Sequence, residues 1–350
     1  MQLSIIIPMY NAEQYIWQCI SSIINQPINT DIYEIIVIND GSNDNSLKVA
    51  QTIASKTDNI RVLDQANRGV SATRNKGIEV ANGEYIWFID ADDYIADNVL
   101  SKLLRCVEDN QLDIVEFKKI RTESRILTTA SQEVSGRGLQ VFKGTEFVSK
   151  LNFNDSACVY LYSKQLLFSS GIRFEGVMME DMLFNARIVP KAYRVARYPL
   201  DVYRYVITPN SLWNTRTSKK LKKSIKDSIH SVEHYAKIIR TYQNSNIDVS
   251  IFESKIQNML FNIAKRLLAS NFSVYEKLKI IKNLESQVLY PMKGYPGKNK
   301  FRKYTIILFN HRHLFVVVGF IYNFLKKPIE YLIVKRYYKK REKKLRAQIN

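Results

Sequence analysis

The sequence predicts an α/β fold, with a mostly parallel central sheet flanked by helices and a helical C-terminal extension. Three observations carry this expectation. Apolar runs of strand length recur through residues 1–100, stretches of helical periodicity separate them, and polar clusters fall at the carboxyl ends of the runs.

The elements follow in order. Leu3–Pro8 is a continuous apolar run, read as a buried strand, closed by a polar turn at Met9–Asn11. Ala12–Gln26 has helical periodicity, with Ile16, Cys19, Ile20, Ile23 and Ile24 on one face. Glu34–Ile38 is a second buried strand ending in Asn39-Asp40-Gly41-Ser42, and a helix capped near Ser42–Asp44 runs on to Ser55. Arg61–Asp64 is a short third strand, Gly69–Asn82 a helix with Ala72, Ile78 and Val80 inward, and Tyr85–Asp90 a fourth strand. Residues 97–107 form another helix. The pattern is then mixed to residue 210, with strands near Ile114–Phe117 and Tyr198–Tyr205, and helical from Ser218 to Leu289. The expected organisation is a catalytic domain over 1–215, a helical region over 216–290 and a basic amphipathic tail over 291–350.

Composition narrows the class. A chain of 350 residues with 46% hydrophobic and 24% charged residues buries an ordinary core. Cys19, Cys106 and Cys158 have no CxxC spacing, which argues against a disulfide framework or a zinc site and suits a reducing, cytoplasmic setting. The opening residues lack the basic leader and cleavage site of a signal peptide. The net charge is +19, unevenly spread: residues 1–100 carry −7 and the last sixty carry +14. An acidic front joined to a basic end suggests a catalytic unit attached to something that seeks an anionic surface.

Four polar clusters stand at strand ends: Pro8-Met9-Tyr10-Asn11, Asn39-Asp40-Gly41-Ser42-Asn43-Asp44, the run from Asn67 to Gly77, and Asp90-Ala91-Asp92-Asp93. In an open α/β sheet that edge is where a ligand crevice forms. Each cluster suits part of a nucleoside diphosphate. The Tyr10 ring can stack on a base, and the Asp40 carboxylate can accept the imide N–H of uracil. Arg68 and Arg74 offer guanidinium donors to an anion. Carboxylates around Asp92 are hard oxygen ligands, suited to Mg²⁺ or Mn²⁺ shared with a diphosphate. Any one of these is ordinarily a turn or a helix cap; the four in this order are hard to ascribe to coincidence.

The combination Ile-Pro-x-Tyr-Asn, Asn-Asp-Gly-Ser-x-Asp, Gly-x-Ser-x-x-Arg-Asn-x-Gly and Asp-x-Asp-Asp resembles the bacterial family-2 inverting glycosyltransferases of GT-A fold. The resemblance is strong over residues 1–100 and looser to 215. It implies that Pro8, Tyr10, Asn11 and Asp40 line the nucleotide pocket, with Asp90 and Asp92 at the ribose, diphosphate and metal. Where this chain has Asn39-Asp40, the family more often has two aspartates; the second, base-reading position is retained.

An inverting transfer needs one general base to deprotonate the acceptor hydroxyl. Met178-Met179-Glu180-Asp181-Met182 sets two carboxylates among apolar residues, where desolvation raises a pKa. In similar enzymes the aspartate of such a pair is the base, a role carried to Asp181 with Glu180 beside the acceptor. Tyr203-Arg204-Tyr205 through Ser211 resembles the family's closing segment over the donor phosphates, which gives Arg204 and Ser211 that role.

In the tail, Leu314–Leu325 is too short for a bilayer span, which needs about 20 residues. Lys326-Lys327 and the basic run Lys335–Arg346 flank it. This suits a helix lying in an anionic membrane interface, on the inner face of the cell membrane; a solvated helical extension is the alternative. No nucleic acid is expected, since no recognised nucleic-acid module accompanies the tail. The leading expectation is a metal-assisted glycosyltransferase moving a sugar from a UDP-sugar to a saccharide or polyprenyl-linked acceptor. Two alternatives stand beside it: a nucleotidyltransferase, which would favour a Gly-rich phosphate loop where Pro8-Met9-Tyr10-Asn11 lies, and a non-catalytic basic scaffold or nucleic-acid-binding protein.

Overall fold

A computed structural model describes residues 1–321, except 127, 131–138, 178, 208–217, 243–247, 269, 271, 286–290 and 294–298. Two compact units are present: Met1–Thr215 with Tyr242–Ile251, and Arg216–Thr241 with Phe252–Asn350.

The first unit is built on one nine-stranded sheet. Its first half consists of β1 (Leu3–Met9), β2 (Tyr33–Asp40), β3 (Ile60–Gln65) and β4 (Tyr85–Phe88). These lie in the order β3-β2-β1-β4, and every pair is parallel. All eight residues of β2 are buried, as a strand covered by helices on both faces requires. The covering helices include α1 (Ile16–Ile24), α2 (Ser46–Ala54) and α3 (Val70–Val80); α3 packs on β1 and β2, and α2 on β2 and β3. Predicted α1 began at Ala12, but residues 12–15 form a turn: the Ala12 and Glu13 amides donate to Ser46 Oγ and Asp44 Oδ2 at 2.7 and 3.2 Å.

The all-parallel half of the sheet stops at β4. The remaining elements are β5 (Tyr94–Ile95), α4 (Leu100–Asp109), β6 (Ile114–Thr122), β7 (Val141–Phe142), α5 (Gly144–Leu151), β8 (Tyr160–Ser163), α6 (Lys164–Ser170), α7 (Glu180–Ile188) and β9 (Val195–Val206). Strand β8 runs antiparallel between β4 and β6, while β6 and β9 pair in parallel. The sheet is thus mixed, and its two halves meet where β4 ends. Strand β4 also stops two residues before the expected Asp90, which leaves the whole Asp90–Asp93 run in the following turn.

The second unit is helical: α8 (Ser218–Tyr242) contributes most of its length, followed by α9 (Ser250–Leu268), α10 (Val274–Glu285) and α11 (Lys300–Asn310). Helical backbone resumes over 312–321. The described part of the expected tail is integral to this unit. Ile306, Phe309, Phe315 and Val316 are buried, Asn310 exchanges two 2.9 Å hydrogen bonds with the Met292 backbone, and Phe301 meets Phe261 edge-on. No described helix is long and apolar enough to cross a membrane.

A polar staple closes the edge of the sheet far from the strand ends. Buried Glu34 accepts from Ser4 Oγ and the Asn82 amide, both at 2.6 Å, while Gly83 N–H donates to Ser4 Oγ at 2.8 Å. The turn at Gly83 lies so flat on β1 that a Cβ there would overlap the backbone of Leu3 and Ser4. Gly83→Ala should therefore destabilise the protein by about 1–3 kcal/mol in urea unfolding. Gly176→Ala, which would place a methyl in open space, should stay within about 0.5 kcal/mol of the parent.

Candidate active site

The carboxyl ends of β1 and β2 are laced together. Asn11, in the left-handed region at φ 48°, accepts from the Asn43 amide at 2.8 Å, and its own amide donates to Ser42 Oγ at 3.0 Å. This leaves the Tyr10 ring 49% exposed beside the lacing, free to offer a face to a planar ligand. Pro8, one register step below the loop, pairs with Ile38 and is half-buried.

Asp40 is buried at the end of β2 and organises the next loop. Its two oxygens accept from the Arg68 and Gly69 amides, each at 2.8 Å, and Gln65 Nε2 donates to it at 2.9 Å. Gly41 follows with φ 69°, and a Cβ there would stand 2.8 Å from the Asn67 amide nitrogen; only glycine lets these two loops close on each other. The Arg68 side chain is exposed, while its amide is the part that binds Asp40.

Arg74, expected to offer its guanidinium to an anion, meets the anions of the protein itself. It points from α3 into the protein and is only 2% exposed. Its Nη2 pairs with Asp90 at 2.8 Å, and its Nη1 with Glu180 at 2.9 Å and Asp181 at 2.5 Å. The guanidinium also lies 5.2 Å from the Phe174 ring centroid, and Phe174 stacks on Phe184 of α7 at 3.9 Å. Burial disfavours its charge, yet Asp181 and Asp90 outweigh that and hold Arg74 well above its ordinary pKa. One cation therefore joins carboxylates from the β4 turn and from α7, which lie 16, 106 and 107 positions along the chain from Arg74.

Met179 takes a left-handed turn at φ 68° before α7, which puts Glu180 and Asp181 in the first helical turn, where carboxylates are favoured. Asp181 Oδ2 accepts from the Ala157 amide at 3.0 Å. Burial pushes the Asp181 pKa up to about 7; Arg74 opposes the rise, and Glu180 and Asp90 reinforce it.

The run Asp90–Asp93 divides its labour. Asp93 is buried, accepts from Tyr203 Oη at 2.7 Å and the Val206 amide at 2.8 Å, and is pushed up to about 8 by burial and by Asp90 and Asp92. It is an internal strut between the turn and β9. Asp92 is half-buried and is raised to about 6 by burial and then by Asp90, with its own backbone N–H as its hydrogen-bonding contact. Asp92 is thus the carboxylate of the run with no side-chain partner among the described residues, and carboxylate oxygen is a ligand type that Mg²⁺ and Mn²⁺ accept.

Arg125 escaped the sequence reading. It sits on the segment after β6, its Nη1 donates to Gln18 Oε1 at 3.2 Å, and its backbone carbonyl accepts from Gln18 Nε2. The guanidinium stacks 4.2 Å above the Tyr15 ring, while Nη2 is buried with no hydrogen-bond partner. Its charge lowers the Asp92 pKa, which locates it beside the acidic turn. A lone arginine in a mixed region gives no sequence signal; only its stacking on Tyr15, just before α1, marks it.

Arg204 also departs from expectation. It is buried in β9 and donates to Thr128 Oγ1 at 2.8 Å, the Asp201 carbonyl at 2.9 Å and the Thr129 carbonyl at 3.1 Å. In this arrangement it fastens the 128–129 segment to the sheet. Ser211 lies outside the described residues.

Comparison with known proteins fits this geometry. The profile of Glycosyl transferase family 2 matches residues 4–159. The glycosyltransferase EpsJ of Bacillus subtilis is 35% identical over 251 residues, which span 67% of this chain and 70% of EpsJ. A poly(ribitol-phosphate) beta-glucosyltransferase of Bacillus spizizenii is 31% identical over 217 residues, covering 59% of this chain and 32% of that protein. Staphylococcus aureus TarS 1–349, solved with UDP-GlcNAc, superposes with a TM-score of 0.64 at 19% identity over 92% of this chain and 91% of TarS. The Pyrobaculum calidifontis mannosyltransferase PcManGT, solved with GDP-Man and Mn²⁺, gives a TM-score of 0.52 at 16% identity over 93% and 88% of the two chains.

Replacing Arg74 by methionine should destabilise the protein by about 3–5 kcal/mol near neutral pH, because three carboxylates lose their buried counter-charge. Protonation relieves that repulsion, so the gap from the parent in urea unfolding should narrow as the pH is lowered towards the carboxylate range. With a GT-A-type mixed sheet, strand-end clusters gathered at one edge, and a relative that shares a third of its residues over most of both chains, the protein belongs to glycosyl transferase family 2 and is a glycosyltransferase.

Proposed function

We propose that the protein is an inverting transferase that moves a sugar from a UDP-sugar to a saccharide or polyprenyl-linked saccharide in surface-polysaccharide synthesis, seated on the inner face of the cell membrane. The single observation that carries the proposal is the Arg74 cluster. It gathers Asp90, on the turn after a nucleotide-type strand, and the Glu180–Asp181 pair within 2.5–2.9 Å of one guanidinium. An acceptor's hydroxyl needs a carboxylate to take its proton, and a departing diphosphate needs cations, which carboxylates can hold. The UDP-GlcNAc bound to TarS supports the choice of donor.

The roles follow from the contacts. The exposed Tyr10 ring stacks on the base, and Pro8 and Asn11 shape the wall beside it. Asp40 accepts the base N–H with acceptor capacity left over from its loop contacts, since a carboxylate offers about four lone-pair sites. Asp90 faces the ribose. Arg68, with its exposed guanidinium, and Arg125, through its unpaired Nη2, meet the diphosphate. Asp92 would hold a divalent cation, Mn²⁺ or Mg²⁺, which supplies Lewis-acid stabilisation of the departing phosphate oxygen when bound. Asp181 takes the acceptor proton as that oxygen bonds to the anomeric carbon; the carbon–oxygen bond to the diphosphate breaks, and the nucleoside diphosphate leaves with the electron pair. Glu180 borders the acceptor, and Arg74 keeps both acids in place.

Donor choice is tested by calorimetry with UDP-, GDP- and dTDP-sugars, with and without Mn²⁺. Tightest binding of a UDP-sugar in the presence of metal is expected, and failure of every nucleotide-sugar to bind would overturn the proposal. Asp92→Asn should weaken the metal-dependent component of that binding. Asp181→Asn should lower kcat by about 10²–10⁴-fold with donor affinity unchanged.

A base works only when deprotonated. With Asp181 raised to about 7 by burial, kcat/KM should climb as the pH rises through about 7 and fall away below it. A profile flat across the neutral range would remove Asp181 from this role.

A further inference from the structure

Helix α11 and the helical segment 312–321 each bury one side in the second unit and present the other to solvent. On α11 the buried side is Thr305, Ile306 and Phe309. Its opposite face carries Phe301 (52% exposed), Tyr304 (60%) and Ile307 (46%), with Lys300 and Lys303 beside them. In 312–321, Phe315, Val316 and Gly319 face inward. The outward face holds Leu314, Val317, Phe320 and Ile321, each at least half exposed and at helical spacing with no charge among them. An amphipathic helix in water presents its polar side outward; here the outer side is the apolar one.

Two features identify what covers this face. Sequence beyond it is strongly basic, with Lys326-Lys327 and the run Lys335–Arg346, and Lys300 and Lys303 border the apolar residues themselves. A second copy docking face to face would oppose those lysines to their own equivalents, which is unfavourable. An anionic lipid surface reverses the sign of that interaction. Geometry agrees: the ten described helical residues span about 15 Å, long enough for their apolar face to lie along the interface. Tyr304 has the amphipathic ring that settles at headgroup level.

We infer that the outward faces of α11 and 312–321 form a membrane-docking surface whose partner is an anionic lipid bilayer. Leu314, Val317, Phe320 and Ile321 enter the acyl boundary, and the lysines meet headgroup phosphates. This rests on the membrane seat proposed above and names the residues that make it.

The test is sedimentation of the full chain with vesicles of phosphatidylcholine alone or mixed with phosphatidylglycerol. Binding is expected only to the anionic vesicles and weaker at high salt. The double variant Val317→Ser/Phe320→Ser keeps every charge and should partition at least about tenfold more weakly. Phe320→Trp should shift its emission to the blue on addition of anionic vesicles. Equal sedimentation of parent and double variant would overturn the inference, leaving the basic run alone to bind. An emission already blue without lipid would show that the chain's own C-terminal segment covers the face, and a parent dimer made monomeric by the double variant in analytical ultracentrifugation would assign it to a second copy; either overturns the inference. UDP-sugar calorimetry on the same samples separates the two proposals, because donor binding does not need the docking face.

Discussion

A single buried guanidinium organises the catalytic unit. Arg74 is enclosed on α3, where an unpaired charge would be prohibitive, and it is stable only because Asp90, Glu180 and Asp181 surround it. Those acids come from the turn after β4 and the first turn of α7. Their separation along the chain means that the pairs form only once the sheet and its helices are packed. Around it, Ser71 Oγ donates to the Glu175 carbonyl at 2.6 Å, and Asn75 exchanges two 2.9 Å bonds with the Phe174 backbone. The approach to α7 is thus fixed to α3 on both sides of the arginine.

The same low-dielectric surroundings explain how one short acidic run serves different ends. Asp90 is tied to Arg74, Asp93 is enclosed by Tyr203 and Val206, and Asp92 is left open between them. Burial raises Asp92 and Asp93, and so does the nearby Asp90; Asp93 is answered by Tyr203 and Val206, Asp92 by its own backbone N–H. The Asp40 cradle works by a similar logic: a buried acid fixes the Arg68–Gly69 amides and thereby the start of α3, which carries Arg74. The Asp40 loop and the carboxylate cluster are mechanically one assembly.

The helical unit has a different physical character. Its core is made from aromatic and aliphatic contacts such as Phe309–Phe315 and Tyr235–Phe252, and its surface combines basic residues with an outward apolar face.

The sequence by itself determined the alternation of β1 to β4 with α1 to α3, because period and run length are local properties. It also determined that Tyr10, Asp40 and the Asp90–Asp93 run stand at strand ends; that Glu180 and Asp181 open a helix came only from the structure. It did not disclose the antiparallel insertion of β8 between β4 and β6, since a four-residue strand has too few positions to show a period. Nor did it disclose the direction in which arginines point. Arg68 and Arg74 look equivalent as letters, yet one is exposed and the other is the centre of the ion cluster; Arg204 fastens a loop, and Arg125 keeps a buried donor unpaired. Residue type fixes what a guanidinium can bind, but only tertiary packing decides which partners come within 3 Å of it and whether water is there to compete.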